Sequence, residues 1–344
     1  MRKSTIAAAV LIPIIAVASG LATYYGLKYI WTQESGGTGG GTTPEQDNGG
    51  ATPFFGSAPD VVVTLSVPDA YLGDYPQATF TVTNTGDSCT VSYSIFQTAP
   101  QTGSFSLGKG ESKAVNVTGL QVRDIGTWST SVQITAGNSY GSDTAQASSS
   151  FEVYVIPFDA TPYIDTSELS GIILELKRNA YRVIIGFDSI LQAGADGVGL
   201  FVDSSSSTVR AIANQLTQRH PNDSELQAKE IYYWVCRWID YGTDGRSNFS
   251  FPAETINDRI GVCMNYAIVL ASLYEASGFN AKLVVLYDGP STRSHAINLL
   301  YFPNLAYANY PFDDEFMALD ATPQTLKFGE YHPYGYEHYD IADV

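Results

Sequence analysis

The chain is 344 residues long, more than one ordinary compact domain needs, so two domains are expected. Hydrophobic residues make up 44% and charged residues 15% of the sequence, which excludes a disordered chain and leaves ample material for packed cores. The formal net charge is −17 and no basic run occurs anywhere, which argues against nucleic acid as a partner because phosphate binding needs clustered Lys and Arg.

The N-terminal stretch "MRKSTIAAAVLIPIIAVASGLATYYGLKYIW" carries no charge from Ser4 to Leu27. That is long enough to cross ~30 Å of hydrocarbon as a helix. Arg2 and Lys3 before it place the N-terminus inside and the body outside. Tyr24, Tyr25, Tyr29 and Trp31 would form an interfacial belt. A cleaved signal peptide is the rival reading, since Ala16 to Ser19 offers a small-residue cleavage site. The apolar stretch runs well past that site, which favours an uncleaved anchor over residues 1–33. In either case the body is exported: a single-pass cell-membrane protein with its C-terminal body extracellular, or a secreted one. Residues 34–57, rich in Gly and Thr, read as a flexible stalk. Asn116, Asn222 and Asn248 head Asn-x-Ser/Thr sequons compatible with a glycosylated surface protein.

From about Asp60 the texture is all-β. "VVVTLSV", "ATFTVTN", "TVSYSIF", "SKAVNVT", "WSTSVQITA" and "SSFEVYVI" are short β-branched or aromatic runs separated by turn residues, as in an immunoglobulin-like sandwich. The "VTNTG" turn (Val82 to Gly86), the "LGKGES" hairpin (Leu107 to Ser112) and "GTWSTSVQI" (Gly126 to Ile134) give residues 58–157 a texture that resembles Ig-like and CARDB-like domains of prokaryotic surface proteins. Cys89 lies here with no companion motif and reads as a small buried hydrophobe.

Past Pro157 the period becomes helical. A helix is expected to start at Asp165-Thr166 with Glu168, and two more to meet at "HPND" (His220 to Asp223). In the second of these, Ile231, Trp234, Val235 and Trp238 mark a core face. Cys236 packs between its neighbours, and His220 is expected at the surface. "GVCMNYAIVLASLYEASG" then reads as a helix beginning at Cys263 and stopping at Gly278. Three extended segments follow, "AKLVVLYD", "SHAINLLYF" and "FMALDAT", which makes residues 158–344 an α+β domain.

Cys263 sits in the first helical turn, where unpaired N–H groups and the helix dipole favour a negative charge. His295 opens one strand and Asp320 ends another. If those strands are neighbours, the three can line up as nucleophile, base and orienting carboxylate. Taken alone, Cys263 reads as readily as a buried core cysteine. A bridge to Cys236 is a third possibility, because an exported chain meets an oxidising exterior.

Ile239 to Tyr241 at a helix end, Pro252 to Thr255, Gly261-Val262-Cys263 at a helix start, a strand beginning with His295 and "LDAT" (Leu319 to Thr322) together resemble the transglutaminase-like superfamily, over about 205–325. The resemblance implies a papain-like α+β core with Cys263 as nucleophile, His295 as general base and acid, and Asp320 orienting the imidazole. It implies no metal or organic cofactor, and protein or peptide substrates, which on an exported chain would be cell-envelope proteins. Asn265 stands where the family often has Asp, and Ile297 where it often has an aromatic residue; either could alter the cleft. Trp238 and Tyr241 are candidates to complete an oxyanion hole. His332, Glu337 and His338 in the tail do not have the spacing of a known metal motif, and a Tyr-rich strand or loop packed on the domain is the expected form.

The reading that emerges is a membrane-anchored extracellular cysteine enzyme acting on protein amide bonds through a thioester, with hydrolysis favoured over cross-linking. The alternative is a non-catalytic adhesive or structural surface protein that uses the papain-like domain for binding.

Overall fold

The computed structural model describes residues 56–96, 99–169, 171, 194–243, 250–288, 294–302, 315–323, 326–331 and 335–344. The apolar N-terminal run, nearly all of the Gly/Thr stretch, most of the helix expected from Asp165 onward, the Asn248 sequon and His332 lie outside the described residues. Among the described residues no helix is long and apolar enough to cross a membrane. From Phe55 to Val344 the chain forms one compact unit.

Its first part is two facing sheets. One holds β1 (Val61–Ser66), β3 (Gln77–Asn84) and β6 (Ser112–Thr118). The other runs β2 (Ala70–Tyr71), β8 (Gly141–Tyr154), β7 (Gly126–Asn138), β4 (Cys89–Ile95), β5 (Gln101–Leu107) in that spatial order. Period-two alternation sends Ala78, Phe80 and Val82 of β3 inward to meet Val91, Ile95, Val132 and Ile134 from the opposite sheet. Burying each of these larger side chains stabilises the fold by about 1.5–3 kcal/mol. The polar exception is Asn84. Its side chain accepts the Gly86 N–H and donates to the carbonyls of Asp87 and Gly108, pinning the "VTNTG" turn to the neighbouring hairpin. Two strands go beyond the sequence reading. In β5, "QTGSFSL" buries only Leu107 fully, and β2 is just two residues long. Polar edge strands carry little periodic signal.

In the second part, the residue pattern of each helix start is visible as a cap. Asp223 caps α3 (Ser224–Trp238) by accepting the Leu226 N–H. Ser206 caps α2 (Ser207–Thr217) in the same way. Glu168 and Asp165 lie across that helix end and take hydrogen bonds from Ser206, Ser207 and Thr208. Helix α1 (Gly194–Gly199) packs near the sheet's C-terminal strand. Helix α4 (Pro252–Asp258) begins with Pro at N1, and the Glu254 carboxylate reaches back to the Phe251 N–H at 2.9 Å.

The central element is α5 (Cys263–Ala276), buried on all sides from Cys263 to Tyr274. It stops where Gly278 adopts φ +81°, a conformation that glycine supplies without a Cβ clash. Helix α5 packs on an antiparallel sheet ordered β13 (Phe316–Leu319), β12 (Ser294–Tyr301), β11 (Ala281–Tyr287), β14 (His338–Asp343). The three strands expected after α5 are present and antiparallel, and the Tyr-rich tail supplies a fourth.

Helix α3 is buried far more widely than its expected stripe. Tyr232, Tyr233 and Cys236 are covered along with Ile231, Trp234 and Val235, because the helix is wedged against the sandwich as well as α5. Leu72 and Val155 of the sandwich belong to the same core. His220 is a correction: instead of facing solvent it packs against Gly73 of the sandwich and lies 3.3 Å from the buried Glu230 carboxylate. A Cβ at Gly73 would meet its ring at 2.4 Å, so only glycine admits that imidazole without a rearrangement.

Candidate active site

The sequence motifs become contacts in order. A short parallel ladder pairs Asp240–Tyr241 (β9) with Ile260–Gly261 (β10), which lays the Ile239-to-Tyr241 segment beside the residues that lead into Cys263. The Tyr266 hydroxyl, one turn into α5, donates to the Ile239 carbonyl and locks that pairing. Gly261 has no room for a side chain: a Cβ there would lie 2.6 Å from the Asn265 Cβ. Asn265 in turn accepts the Val262 N–H at 3.0 Å and caps the helix that carries Cys263. It is therefore a buried capping residue, 6% exposed. Ile297 is buried in the apolar layer with Val284, Leu286 and Phe316.

Cys263 occupies the first residue of α5 and is 7% exposed. His295 stands at the start of β12, and Asp320 directly follows β13. Antiparallel pairing of Asn298 with Leu319 brings these strand ends together. His295 Nε2 lies 2.8 Å from Asp320 Oδ2, in a pair that is almost fully buried. The other Asp320 oxygen accepts the Thr322 N–H at 3.0 Å, which fixes the carboxylate plane. Cys263 lies near enough to the imidazole to add to the effect of Asp320 on its protonation. Burial works against the charged imidazole, but the bonds to Asp320 and Cys263 outweigh it and raise the His295 pKa to about 9. The structure thus pairs two of the predicted site residues directly, Asp320 with His295, and sets the third, Cys263, close to that imidazole. A sulfur beside a carboxylate-held imidazole is the arrangement that nucleophilic catalysis with proton return to a leaving group requires.

The other cysteines lie elsewhere. Cys263, Cys236 and Cys89 are all free and buried. Burial pushes the Cys236 thiol up to about 12, so it stays protonated and inert in the α3 core. The two oxyanion candidates separate. Trp238 is ruled out as a donor to the site, because its indole N–H already donates to the Ile256 carbonyl at 2.8 Å and its ring stacks on Trp234. Tyr241 is 58% exposed, and partial desolvation together with nearby Cys263 and Asp320 raises its phenol pKa.

Three tyrosines went unrecognised in the sequence. Tyr336 of the tail lies parallel to the His295 ring, with centroids 6.5 Å apart. Tyr331 approaches Asp320 and Tyr336 closely enough for their charges to raise its pKa, after burial as the larger cause. Tyr232 donates its hydroxyl to the Asp320 carbonyl at 2.7 Å. A tyrosine-rich tail was visible, but nothing local announces which ring reaches a site. Among the described residues no group of three His, Cys, Asp or Glu side chains could hold a metal ion, and His338 lies against the Tyr287 ring.

A cysteine at a helix start facing a His–Asp pair on an antiparallel sheet defines a cysteine-enzyme-like fold. Residues 210–317 match the model of the Transglutaminase-like superfamily, and the β-sandwich precedes them. Among solved structures, a CARDB domain from Pyrococcus furiosus aligns at 18% identity over 29% of this chain and 96% of its own, with a TM-score of 0.22. A candidate cysteine protease from Cytophaga hutchinsonii aligns at 11% identity over 78% of this chain and 84% of its own, with a TM-score of 0.29. No curated protein matches the chain.

Proposed function

We propose that the chain is a membrane-anchored extracellular cysteine enzyme that opens protein amide bonds through Cys263, His295 and Asp320. The observation that carries this reading is the 2.8 Å bond from His295 to Asp320, with Cys263 near enough to the same imidazole to raise its pKa. A buried His–Asp pair is costly to assemble, and a purely adhesive domain has no need to aim one at a free thiol.

In the reaction, the Cys263 sulfur attacks the amide carbonyl of a backbone peptide or a glutamine side chain and forms a C–S bond. The developing oxyanion is stabilised by Tyr241 and the Cys263 N–H. His295, protonated and held by Asp320, gives its proton to the nitrogen as the C–N bond breaks, and the amine or ammonia leaves. Water, deprotonated by the now neutral imidazole, attacks the thioester and regenerates the thiol. An amine in place of water would give a cross-link. Hydrolysis is favoured because water is present at ~55 M and must be actively excluded for an amine to win. The apolar run from Ser4 to Leu27 would anchor the enzyme, the Gly/Thr stretch would give it reach, and neighbouring cell-envelope proteins would be its substrates.

The test is the rate of Cys263 alkylation by iodoacetamide from pH 4 to 9, resolved by peptide mapping from Cys89 and Cys236, in the wild type and in His295→Ala. Rapid labelling well below the free-thiol pKa of ~8.5, lost in the variant, is expected of a thiolate–imidazolium pair. Labelling that rises only near that value in both proteins would overturn the enzyme reading and favour the adhesive one.

A further inference from the structure

The loop 119–125 of the sandwich enters the second domain beside α3, and its contacts there go beyond ordinary packing. Arg123 makes two bonds to Asp223, at 2.7 and 3.0 Å, and one to Glu225 at 2.9 Å. The Lys229 ammonium, 1% exposed, donates to the Arg123 carbonyl at 2.6 Å and pairs with Glu225 at 2.9 Å. The next residue, Asp124, is held from behind by the Trp128 indole N–H, which donates to its carbonyl at 3.0 Å. Its carboxylate accepts the Tyr233 hydroxyl proton. The same Tyr233 oxygen accepts the Phe328 N–H at 3.1 Å.

Phe328 closes the segment that begins at Asp320. The start of that segment is held by the adjacent side chain of the same helix, since the Tyr232 hydroxyl donates to the Asp320 carbonyl at 2.7 Å. Two consecutive residues of α3 therefore hold described residues on either side of positions 324–325: Tyr232 the carbonyls of Asp320 and, at 3.4 Å, Leu326, and Tyr233 the Phe328 N–H. One of them is itself fastened to the sandwich. A hydroxyl that both donates to a carboxylate and accepts a backbone N–H is polarised in one direction, so the two bonds reinforce each other in this buried setting.

We propose that the sandwich positions the Asp320 carboxylate through the relay Asp124–Tyr233–Phe328, with Tyr232 as the second clamp. Tyr232, Tyr233 and Asp124 are positioning residues for the site, so the Ig-like domain is part of the enzyme and not a spacer. The proposal rests on the Cys263–His295–Asp320 reading for its consequence, but the relay itself is measurable apart from it.

The experiment uses the full-length chain with Tyr232→Phe, Tyr233→Phe, Asp124→Ala and Asp124→Asn. Tyr274→Phe is the control, since it deletes an equally buried hydroxyl whose 3.0 Å bond goes to Ala228 and not to the site. Two readouts are taken: amide hydrogen exchange at residues 320–328, and the pH profile of Cys263 alkylation. Tyr233→Phe and Asp124→Ala should each speed exchange at Phe328 and lower the Cys263 labelling rate at pH 6 about fivefold, the equivalent of one lost hydrogen bond. Tyr232→Phe should do the same, with its exchange effect at the residues that follow Asp320 and Leu326. Asp124→Asn keeps an acceptor and should restore the wild-type profile, while Tyr274→Phe should lower thermal stability and leave the profile in place. Equal effects from Tyr274→Phe, or no exchange effect from Tyr233→Phe, would overturn the relay. If wild-type Cys263 shows no low-pH labelling while the exchange effects appear, the relay stands and the enzyme reading falls.

Discussion

The two cores of this unit are built on different terms. Among the described residues of the sandwich, only Asn84 and Ser131 are buried polar side chains, and the rest of its core is Val, Ile, Phe, Leu, Ala and one inert cysteine. The second core buries Lys229, Glu230, Glu254, Asn265, His295, Asn298 and Asp320 among others. A buried polar group is destabilising unless it is fully bonded, so a fold that relied on burial alone would not collect them. Some of these groups cap helices, some fasten the sandwich, and one pair faces a thiol. Stability in the first region comes from apolar area, and in the second much of it has been spent on geometry.

The largest effect that would sharpen this contrast is chemical. Replacing Asp320 with Asn should cut the proposed amide-opening activity by about a thousandfold or more, measured as thioester turnover on a peptide library, because the imidazolium loses its partner. No change would mean that the polar core is structural. Next in size is Phe80→Ala in the sandwich. It empties a fully buried site and should cost about 3–5 kcal/mol in urea unfolding. Because its damage lies in area and not in geometry, the pH at which Cys263 reaches half its maximal labelling should stay put.

A third effect follows from the raised pKa of His295. Its folded value of about 9 lies above the unfolded value near 6.5, so the folded state binds the proton more tightly. The stabilisation is fully present below pH ~6.5 and is lost as pH rises through about 9; it is on the order of 3 kcal/mol. Unfolding midpoints measured from pH 6 to 9.5 should fall in the wild type and lose most of that slope in His295→Gln. A slope unchanged by the substitution would show that other groups set it.

Smaller again is the helix cap. Asn265→Ala frees the Val262 N–H and should cost about 1 kcal/mol, while Asn265→Asp should retain the bond and the stability. At the bottom of the scale, Lys109→Ala removes an ion pair whose lysine is 68% exposed, and thermal unfolding should not register it.

The sequence by itself determined whatever depends on neighbours along the chain. Alternating Val, Phe and Thr specified the main sandwich strands, because a period of two leaves one face to bury. The unbroken apolar run after Cys263, ended by Gly278, specified a central buried helix. The capping pattern at Pro252 to Thr255 was legible as a motif, although its physical role as a helix start emerged only with Glu254 on the Phe251 N–H. Residue type and position at element ends made Cys263, His295 and Asp320 candidates, and the transglutaminase-like pattern from Ile239 to Thr322 is what implied their roles.

Only the tertiary structure decided which groups meet. Trp238 and Tyr241 looked equivalent until the Ile256 carbonyl claimed one of them, and His220 looked exposed until Gly73 made room for it. Tyr336 over His295, Tyr232 on Asp320 and Tyr233 on Asp124 join residues between 41 and 109 positions apart. No periodicity spans such distances. The pairing is fixed by how the sheet, α3 and the sandwich close on one another, where a tyrosine either finds a buried partner for its hydroxyl or bears the cost of leaving it unpaired.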